Sequence, residues 1–330
     1  MQTLYVSKQG CYICLKQEQL LVKHQQQILA HVRLPLLEQV LIFGKSQMTT
    51  QAIRACLARD IPIAYLSRLG YCYGRILPIE RGYRQLARYQ QELSAVDRLI
   101  VAQNIVHSKL KNSRTFLLRQ RRRHSCDKID LAIESLARLI HQVKQTYTIE
   151  SLLGLEGSGA AQYFPAFGEC LTHTDFTFLT RTRRPPTNPV NALLSFGYQI
   201  LWNHLLSLLE LQGLDPYHAC LHQGSERHAA LASDLIEEFR APLIDSLVIW
   251  LINSRTLATN RNFKYRDDGC FLNDSGRTIY LKHFTQRMEE SIQTADGSNQ
   301  PRWHLLTQQV KRFKQFVYQP SHPYHPYEIH

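Results

Sequence analysis

The feature that most constrains the fold is a change in hydrophobic period about a quarter of the way along the 330-residue chain. Before about residue 78, apolar side chains alternate with period two in short runs: Thr3–Ser7, Cys11–Lys16, Gln19–His24, Ile28–Arg33 and Gln39–Phe43. Val, Ile, Leu and Tyr fill these runs, and Gly10, the Gln-rich stretch 25–27 and Pro35 interrupt them, as expected of short strands. A helix is expected at about Thr49–Ala58, with Ser46 or Thr49 as its cap. Strand character returns at Ile61–Leu66 and Tyr71–Ile76, with Arg68-Leu-Gly70 between them. From about residue 84 the spacing lengthens to three or four, through Leu86, Tyr89, Leu93, Val96, Leu99 and Ile100, and resumes at Ile129–Val143 and Ala192–Leu211. Pro78 and Gly82 mark a linker. The expected class is α+β. A small β-rich N-terminal domain, residues 1–83, has about eight strands and one helix; a larger, mostly α-helical domain follows, residues 84–330. A hairpin is expected within Phe263–Tyr280, with turn signals at Asp267-Asp-Gly269 and Asn273-Asp-Ser-Gly276. The proline-spaced tail Pro320–Tyr327 cannot be helical and is expected to be extended or disordered.

Charge narrows the partners. Thirty-nine Lys and Arg stand against 27 Asp and Glu, a net charge of +12, which favours a polyanion because each neutralised phosphate releases counterions. No apolar run approaches the ~18 residues of a membrane span, and the opening MQTLYVSKQG has no apolar signal core. A soluble, cytoplasmic protein is expected, without a membrane role. Cys11 and Cys14 form a CxxC, but no second pair completes a zinc site, and the run around them alternates as a strand does. Buried thiols of a reducing compartment are the reading for the eight cysteines.

Three motifs come close and fail. Gly44-Lys45-Ser46 resembles the end of a phosphate-binding loop, yet Gln39 stands where its first glycine belongs. Gly157-Ser158-Gly159 suggests a nucleophile elbow, but Glu156 and Ala160 replace the required glycines. His218 and His222 have the spacing of a zinc-protease helix, but Ala219 cannot serve as its general base.

Three further segments, taken singly, read as ordinary structure. Glu156 enters a Gly- and Ala-rich stretch and reads as a solvated carboxylate at a helix start beside a flexible turn. His222 closes an apolar tetrad and reads as a core histidine. Asp234, Glu237 and Glu238 share a helical face with Arg240 nearby and read as a solvated acidic surface, with Leu231, Leu235 and Phe239 turned to the core. Together, two carboxylates and an imidazole suit a divalent ion with open positions, and oxygen-rich ligation favours Mg²⁺ or Mn²⁺. Such an ion polarises a phosphodiester. Two basic tracts could admit DNA: Lys109, Lys111, Arg114, Arg119, Arg121, Arg122 and Arg123, and then Arg181, Arg183 and Arg184. Lys311-Arg-Phe-Lys314 is a third candidate.

The order and wording of these segments resemble the CRISPR-associated protein one ("Cas one") family, the integrase and endonuclease of CRISPR adaptation. The resembling pieces are Leu37-Glu-Gln-Val-Leu-Ile-Phe-Gly44, Gly154-Leu-Glu156-Gly with Tyr163-Phe, and Arg184-Pro-Pro186 with Asn188-Pro-Val-Asn191-Ala-Leu-Leu-Ser195-Phe-Gly-Tyr198. Gly213-Leu-Asp-Pro216 with Leu221-His222, and Asp234-Leu-Ile-Glu237-Glu-Phe-Arg240 with Pro242, complete them. The resemblance spans nearly the whole chain; Ile236, where the family usually has Leu or Met, is a volume-conserving departure. It implies a β-rich domain followed by a helical catalytic domain. It also implies that Glu156, His222 and Glu237 bind Mg²⁺ or Mn²⁺, with Asp234 an added ligand or the group that orients His222. The implied reaction is transesterification, in which a 3′-hydroxyl of a captured double-stranded fragment attacks the repeat array; water in its place gives nuclease activity. The implied partners are a second copy, as a homodimer formed through the N-terminal domain, and a small companion adaptation protein. A non-catalytic basic DNA-binding scaffold and a standalone structure-selective nuclease are the alternatives.

Overall fold

A computed structural model describes residues 2–329 apart from 68–70, 79–82, 125, 226–227 and 294–296. The expected break at Arg68-Leu-Gly70 and the linker residue Gly82 lie outside the described residues.

Among its described residues the period-two segment forms eight strands, one α-helix and a 3-10 turn at Leu34–Leu36: β1 (Gln2–Val6), β2 (Tyr12–Lys16), β3 (Gln19–His24), β4 (Gln27–Arg33), β5 (Leu37–Phe43), β6 (Gln47–Met48), α1 (Thr50–Leu57), β7 (Ile63–Leu66) and β8 (Cys72–Ile76). They make two four-stranded sheets, ordered β1-β5-β7-β8 and β4-β3-β2-β6. The parallel pairing of β5 with β7 requires a crossover, which α1 supplies. Thr49 caps α1 by accepting from the Ala52 amide at 3.2 Å, and Ala52 and Cys56, one turn apart, bury its inner face.

Strand β5 shows why its sequence is almost unbroken in hydrophobicity. Val40 and Ile42 face a core shared with β1, β2, β3 and α1, whereas Leu41 and Phe43 face the core of the helical region. Successive side chains of a strand point to opposite faces, so a strand buried on both sides needs apolar residues at both parities. The N-terminal sheet is thereby fused to the helices by its own side chains.

The helical region contains α2 (Tyr83–Gln91), the 27-residue α3 (Ala95–Arg121), α4 (Asp127–Val143), α5 (Ile149–Glu169), α6 (Pro189–Leu211) and α7 (Ala230–Ile236). Asn188 caps α6, with Pro189 at the first helical position, where its missing N–H leaves no intrahelical bond unmade. A π-helical turn, Arg240–Asp245, connects α7 to α8 (Ser246–Asn253). Pro242 lies inside this turn, where it cannot donate to an α-helical ladder.

Next come α9 (Thr259–Asn262), the hairpin β9 (Phe263–Arg266) and β10 (Gly269–Leu272), and α10 (Asp274–Glu289). Asp267 and Asp268 both take positive φ, as a two-residue hairpin turn demands. The second expected turn signal has a different use: Asn273 caps α10, accepting from the Gly276 amide at 2.9 Å. Asn-Asp-Ser-Gly serves a helix start as readily as a turn, because the short side chain bonds the backbone in either case. The chain closes with the short pair β11 (Ser291–Gln293) and β12 (Asn299–Pro301), then α11 (Trp303–Tyr318) and a tail that is extended and packed, with Tyr324 1% exposed. Among the described residues no helix is long and apolar enough to cross a membrane, and all eight cysteines are free thiols.

An aromatic stack locks the sheet to the helices. His204 of α6 packs against both Phe43 of β5, at 4.9 Å, and Trp303 of α11, at 4.7 Å; these two rings lie 5.5 Å from each other, and Trp303 stacks on Tyr5 of β1 at 5.5 Å. His204 Nδ1 faces the Ile200 carbonyl at 3.0 Å; a carbonyl can only accept, so Nδ1 carries the hydrogen, and the buried Nε2 has no partner. Burial holds the His204 pKa down at about 4, against an ordinary 6.5. Between these values an unfolded chain takes up a proton that the folded one refuses, so stability falls as pH drops through that window and is unaffected above it. His204→Phe is expected to remove this acid sensitivity. In urea titrations the difference in unfolding free energy between wild type and variant should change by about 3 kcal/mol from about pH 7 to about pH 4.

Candidate metal centre

Glu156 sits well inside α5 rather than at a helix start. Thr148 caps that helix, accepting from the Ser151 amide at 3.2 Å, and the helix runs unbroken through Gly154, Gly157, Gly159 and Pro165. The small residues serve packing: a Cβ at Gly159 would lie 2.2 Å from Leu110 Cδ2 of α3. Glycine there lets α3 come close to α5 and brings Lys109, Leu110's neighbour, beside Glu156.

The other two expected ligands arrive from one stretch of chain. Asp234 of α7 is wholly buried, and its carboxylate accepts from the amides of Cys220, Leu221 and His222 at 2.7, 2.9 and 2.9 Å. It also meets His222 Nδ1 at 2.8 Å. An ionised carboxylate only accepts, so Nδ1 donates, leaving Nε2 to carry the lone pair of the neutral ring. Asp234 thus fixes both the loop and the ring. Burial alone would favour neutral His222, but the bond to Asp234 and the charges of Asp234, Glu237 and Glu156 outweigh it and raise its pKa.

Glu237 follows the last turn of α7 and is 2% exposed. Burial would push its carboxyl up, but Arg240, Lys109 and His222 outweigh that and hold it well below the usual carboxylate range. Arg240 Nη2 contacts Glu237 Oε1 at 2.9 Å and lies over the Tyr198 ring, 4.6 Å from its centroid. Tyr198 and Tyr163 both donate to the buried Asp245, at 2.5 and 2.7 Å, fixing the far end of the π-helical turn. The acidic segment is therefore not a solvated face, since Asp234, Glu237 and Glu238 are all buried.

Glu238 points away from Glu237 and into the C-terminal tail. It accepts from the Tyr324 hydroxyl and, at 2.6 Å, from the Tyr327 amide. Asn112 of α3 donates to the Glu238 carbonyl at 2.8 Å and to the Tyr327 carbonyl at 2.9 Å, so α3, the tail and the Glu237–Glu238 turn are tied together. Burial raises the Glu238 carboxyl to about 8, despite its bonds to Tyr324 and Tyr327.

Between Glu156 and Glu237 stands Lys109. Its ammonium donates to Glu156 Oε1 and lies 2.6 Å from Glu237 Oε2, with a side chain only 12% exposed. By sequence Lys109 belongs to a basic tract that could face DNA, and the local sequence holds no sign of this pairing. Arg240, three residues after Glu237, was visible by spacing.

Glu156, His222 and Glu237 line one open cavity of about 740 Å³, together with Arg181, Arg183 and Arg184. Arg183 and Arg184 are exposed at this cavity. Arg181 is committed to structure, donating to Asn191 Oδ1 at 2.9 Å and Ser195 Oγ at 3.0 Å, and burial lowers its pKa to about 10. Arg121, Arg122 and Arg123 do not reach the cavity. They lie at and beyond the end of α3, about 18 Å along the axis from Lys109, and Arg121 pairs with Asp130 at 3.1 Å.

Among the described residues no three His, Cys, Asp or Glu side chains are close enough to form a finished metal cage. The donors nevertheless fit a hard divalent cation. Two carboxylates already share one positive charge, and His222 offers a ring nitrogen.

The family model described as CRISPR associated protein Cas1 matches residues 4–286. The chain belongs to the Cas1 family. It is 30% identical over 312 residues to a CRISPR-associated endonuclease Cas1 of Thermus thermophilus, covering 94% of this chain and 95% of that protein. It is 34% identical over 301 residues to a CRISPR-associated exonuclease Cas4/endonuclease Cas1 fusion of Geobacter sulfurreducens. That match takes in 88% of this chain and 53% of the fusion, so the chain spans about half of that relative's length. A chain of a solved partial Cas6-RT-Cas1–Cas2 complex superposes with a TM-score of 0.86 at 27% identity, covering 99% of this chain and 98% of that one. The strand-rich start and helical remainder are the Cas1 architecture.

Asp234→Asn places an amide donor among groups that themselves donate. It is expected to lower stability by about 3 kcal/mol, because buried donors lose a charged acceptor. Urea unfolding measures this, and a loss below about 1 kcal/mol would mean that the loop holds His222 without Asp234.

Proposed function

We propose that this Cas1-family chain is a metal-dependent DNA endonuclease and integrase of CRISPR adaptation, with Mg²⁺ or Mn²⁺ as its cofactor. The observation that carries the reading is the convergence of Glu156 and Glu237 on one cation, beside a His222 whose ring Asp234 orients, in a cavity edged by arginines. When bound, a divalent ion there would polarise a phosphodiester and offset the charge that develops during in-line attack. Glu156, Glu237 and His222 would hold it; Asp234 keeps the imidazole in one tautomer, and Arg240 keeps Glu237 ionised and turned to the cavity. Arg183 and Arg184 would meet the phosphates of double-stranded DNA at the cavity mouth. A DNA 3′-hydroxyl as attacking group gives strand transfer into the repeat array, and water gives cleavage, so one site accounts for both activities.

The partners in this reading are a second copy, as a homodimer, and a small companion protein of the Cas2 kind. The likeness to a chain of a Cas6-RT-Cas1–Cas2 complex supports the latter. The companion is what separates an integrase from a nuclease acting alone.

Glu156→Ala, His222→Ala and Glu237→Ala are each expected to reduce metal-dependent strand transfer by at least a hundredfold, roughly, while DNA binding persists. The assay uses a supercoiled repeat plasmid, a double-stranded fragment, Mn²⁺ and the companion protein. Undiminished transfer by any one variant removes that residue from the site, and a wild type that binds DNA but neither cuts nor joins it favours the scaffold. Arg183→Gln and Arg184→Gln should weaken binding to unrelated DNA sequences alike. Each should flatten the slope of log affinity against log salt by about 0.9 for a lost phosphate contact. An unchanged slope would make these arginines structural.

A further inference from the structure

The fold breaks up the basic tract that begins at Lys109. Lys111 pairs with Glu328 of the tail, Arg114 donates to the Ile133 carbonyl at 3.2 Å and Arg121 pairs with Asp130. Lys109 alone of these four reaches the carboxylates of the cavity, where its ammonium is shared by Glu156 and Glu237. Two carboxylates, one buried and one partly buried, that converge on one point repel each other unless a positive charge lies between them. The chain supplies that charge itself, and the small residue at Gly159 lets α3 come near enough to deliver it.

We propose that Lys109 is a built-in cation that holds the metal-free site in shape, and that a divalent ion enters by displacing its ammonium from Glu156 and Glu237. The inference rests on the metal reading above. An ammonium on a flexible four-carbon stem can withdraw without moving the backbone, whereas the two carboxylates are fixed by α5 and by the Arg240-braced turn. The ammonium and a divalent ion repel each other and compete for the same oxygens, so occupation is an exchange. Metal affinity is then the intrinsic affinity reduced by the fraction of molecules in which the lysine has withdrawn. The benefit is a site whose carboxylates stay aimed at one point before metal arrives.

The test uses the full-length chain and two variants. Lys109→Met keeps the stem and removes the charge; Lys109→Arg keeps the charge and adds a planar fork able to bridge two carboxylates. Calorimetric titration with MnCl₂ and metal-free melting curves are the readouts. The expected result is that Lys109→Met melts several degrees lower without metal yet binds Mn²⁺ roughly tenfold tighter or more, while Lys109→Arg binds it more weakly than wild type. Equal or weaker binding by Lys109→Met overturns the exchange. Should that variant fail to fold, Lys109→Arg decides, because unchanged or tighter binding there overturns it equally. If wild type and variants all fail to bind Mn²⁺, the metal reading falls and the exchange falls with it; binding that ignores the substitutions overturns the exchange alone.

Discussion

One ammonium between two carboxylates organises the helical region of this molecule. Lys109 comes from α3, Glu156 from α5 and Glu237 from the turn after α7, so three separate elements must be held in register for that contact to form. Their packing is arranged accordingly. Gly159 removes a side chain where α3 and α5 cross, and Asn112, one turn beyond Lys109, binds the carbonyl of Glu238. A shift of any of the three would leave like charges facing each other, with Glu237 buried.

Neighbouring acids acquire different roles from their surroundings. Glu237 faces the cavity between Lys109 and Arg240 and stays ionised, while Glu238 faces the tail, where burial favours the protonated form. Asp234 is satisfied by backbone amides and acts through the ring of His222. The π-helical turn after Glu237 joins these parts, with Arg240 at its start reaching back to the carboxylate and Asp245 at its end anchored by two tyrosines. The basic residues thus divide: Lys109 and Arg240 serve the carboxylates, and Arg183 and Arg184 border the opening.

Much of this was legible in the sequence where periodicity or spacing carries the information. The alternation of residues 3–76 marks β1 to β5, β7 and β8 to within a residue or two at most ends but not the two-residue β6, and Thr49 is readable as the cap of α1. Short polar motifs misled, because the same chemistry has two uses. Asn273-Asp-Ser-Gly276 starts a helix rather than a turn, and the glycines around Glu156 lie inside a helix whose neighbour needs the space. The acidic stretch at 234–238 gave correct spacing but not burial, since the tail and α3 that cover it come from far along the chain. Lys109 was beyond reach for the same reason. Its partners lie on other elements, and nothing in Ser-Lys-Leu distinguishes a lysine that ends beside two carboxylates from one that ends in solvent.

The central claim is that the space shared by Glu156, Glu237 and His222 is a divalent-cation site. Anomalous diffraction at the manganese edge, from crystals grown with saturating Mn²⁺, tests it most directly. The account predicts one strong peak within coordination distance of both carboxylates and of His222 Nε2, with the Lys109 ammonium moved out from between them. Crystals showing Lys109 still lodged between Glu156 and Glu237, and manganese elsewhere or nowhere, would contradict it.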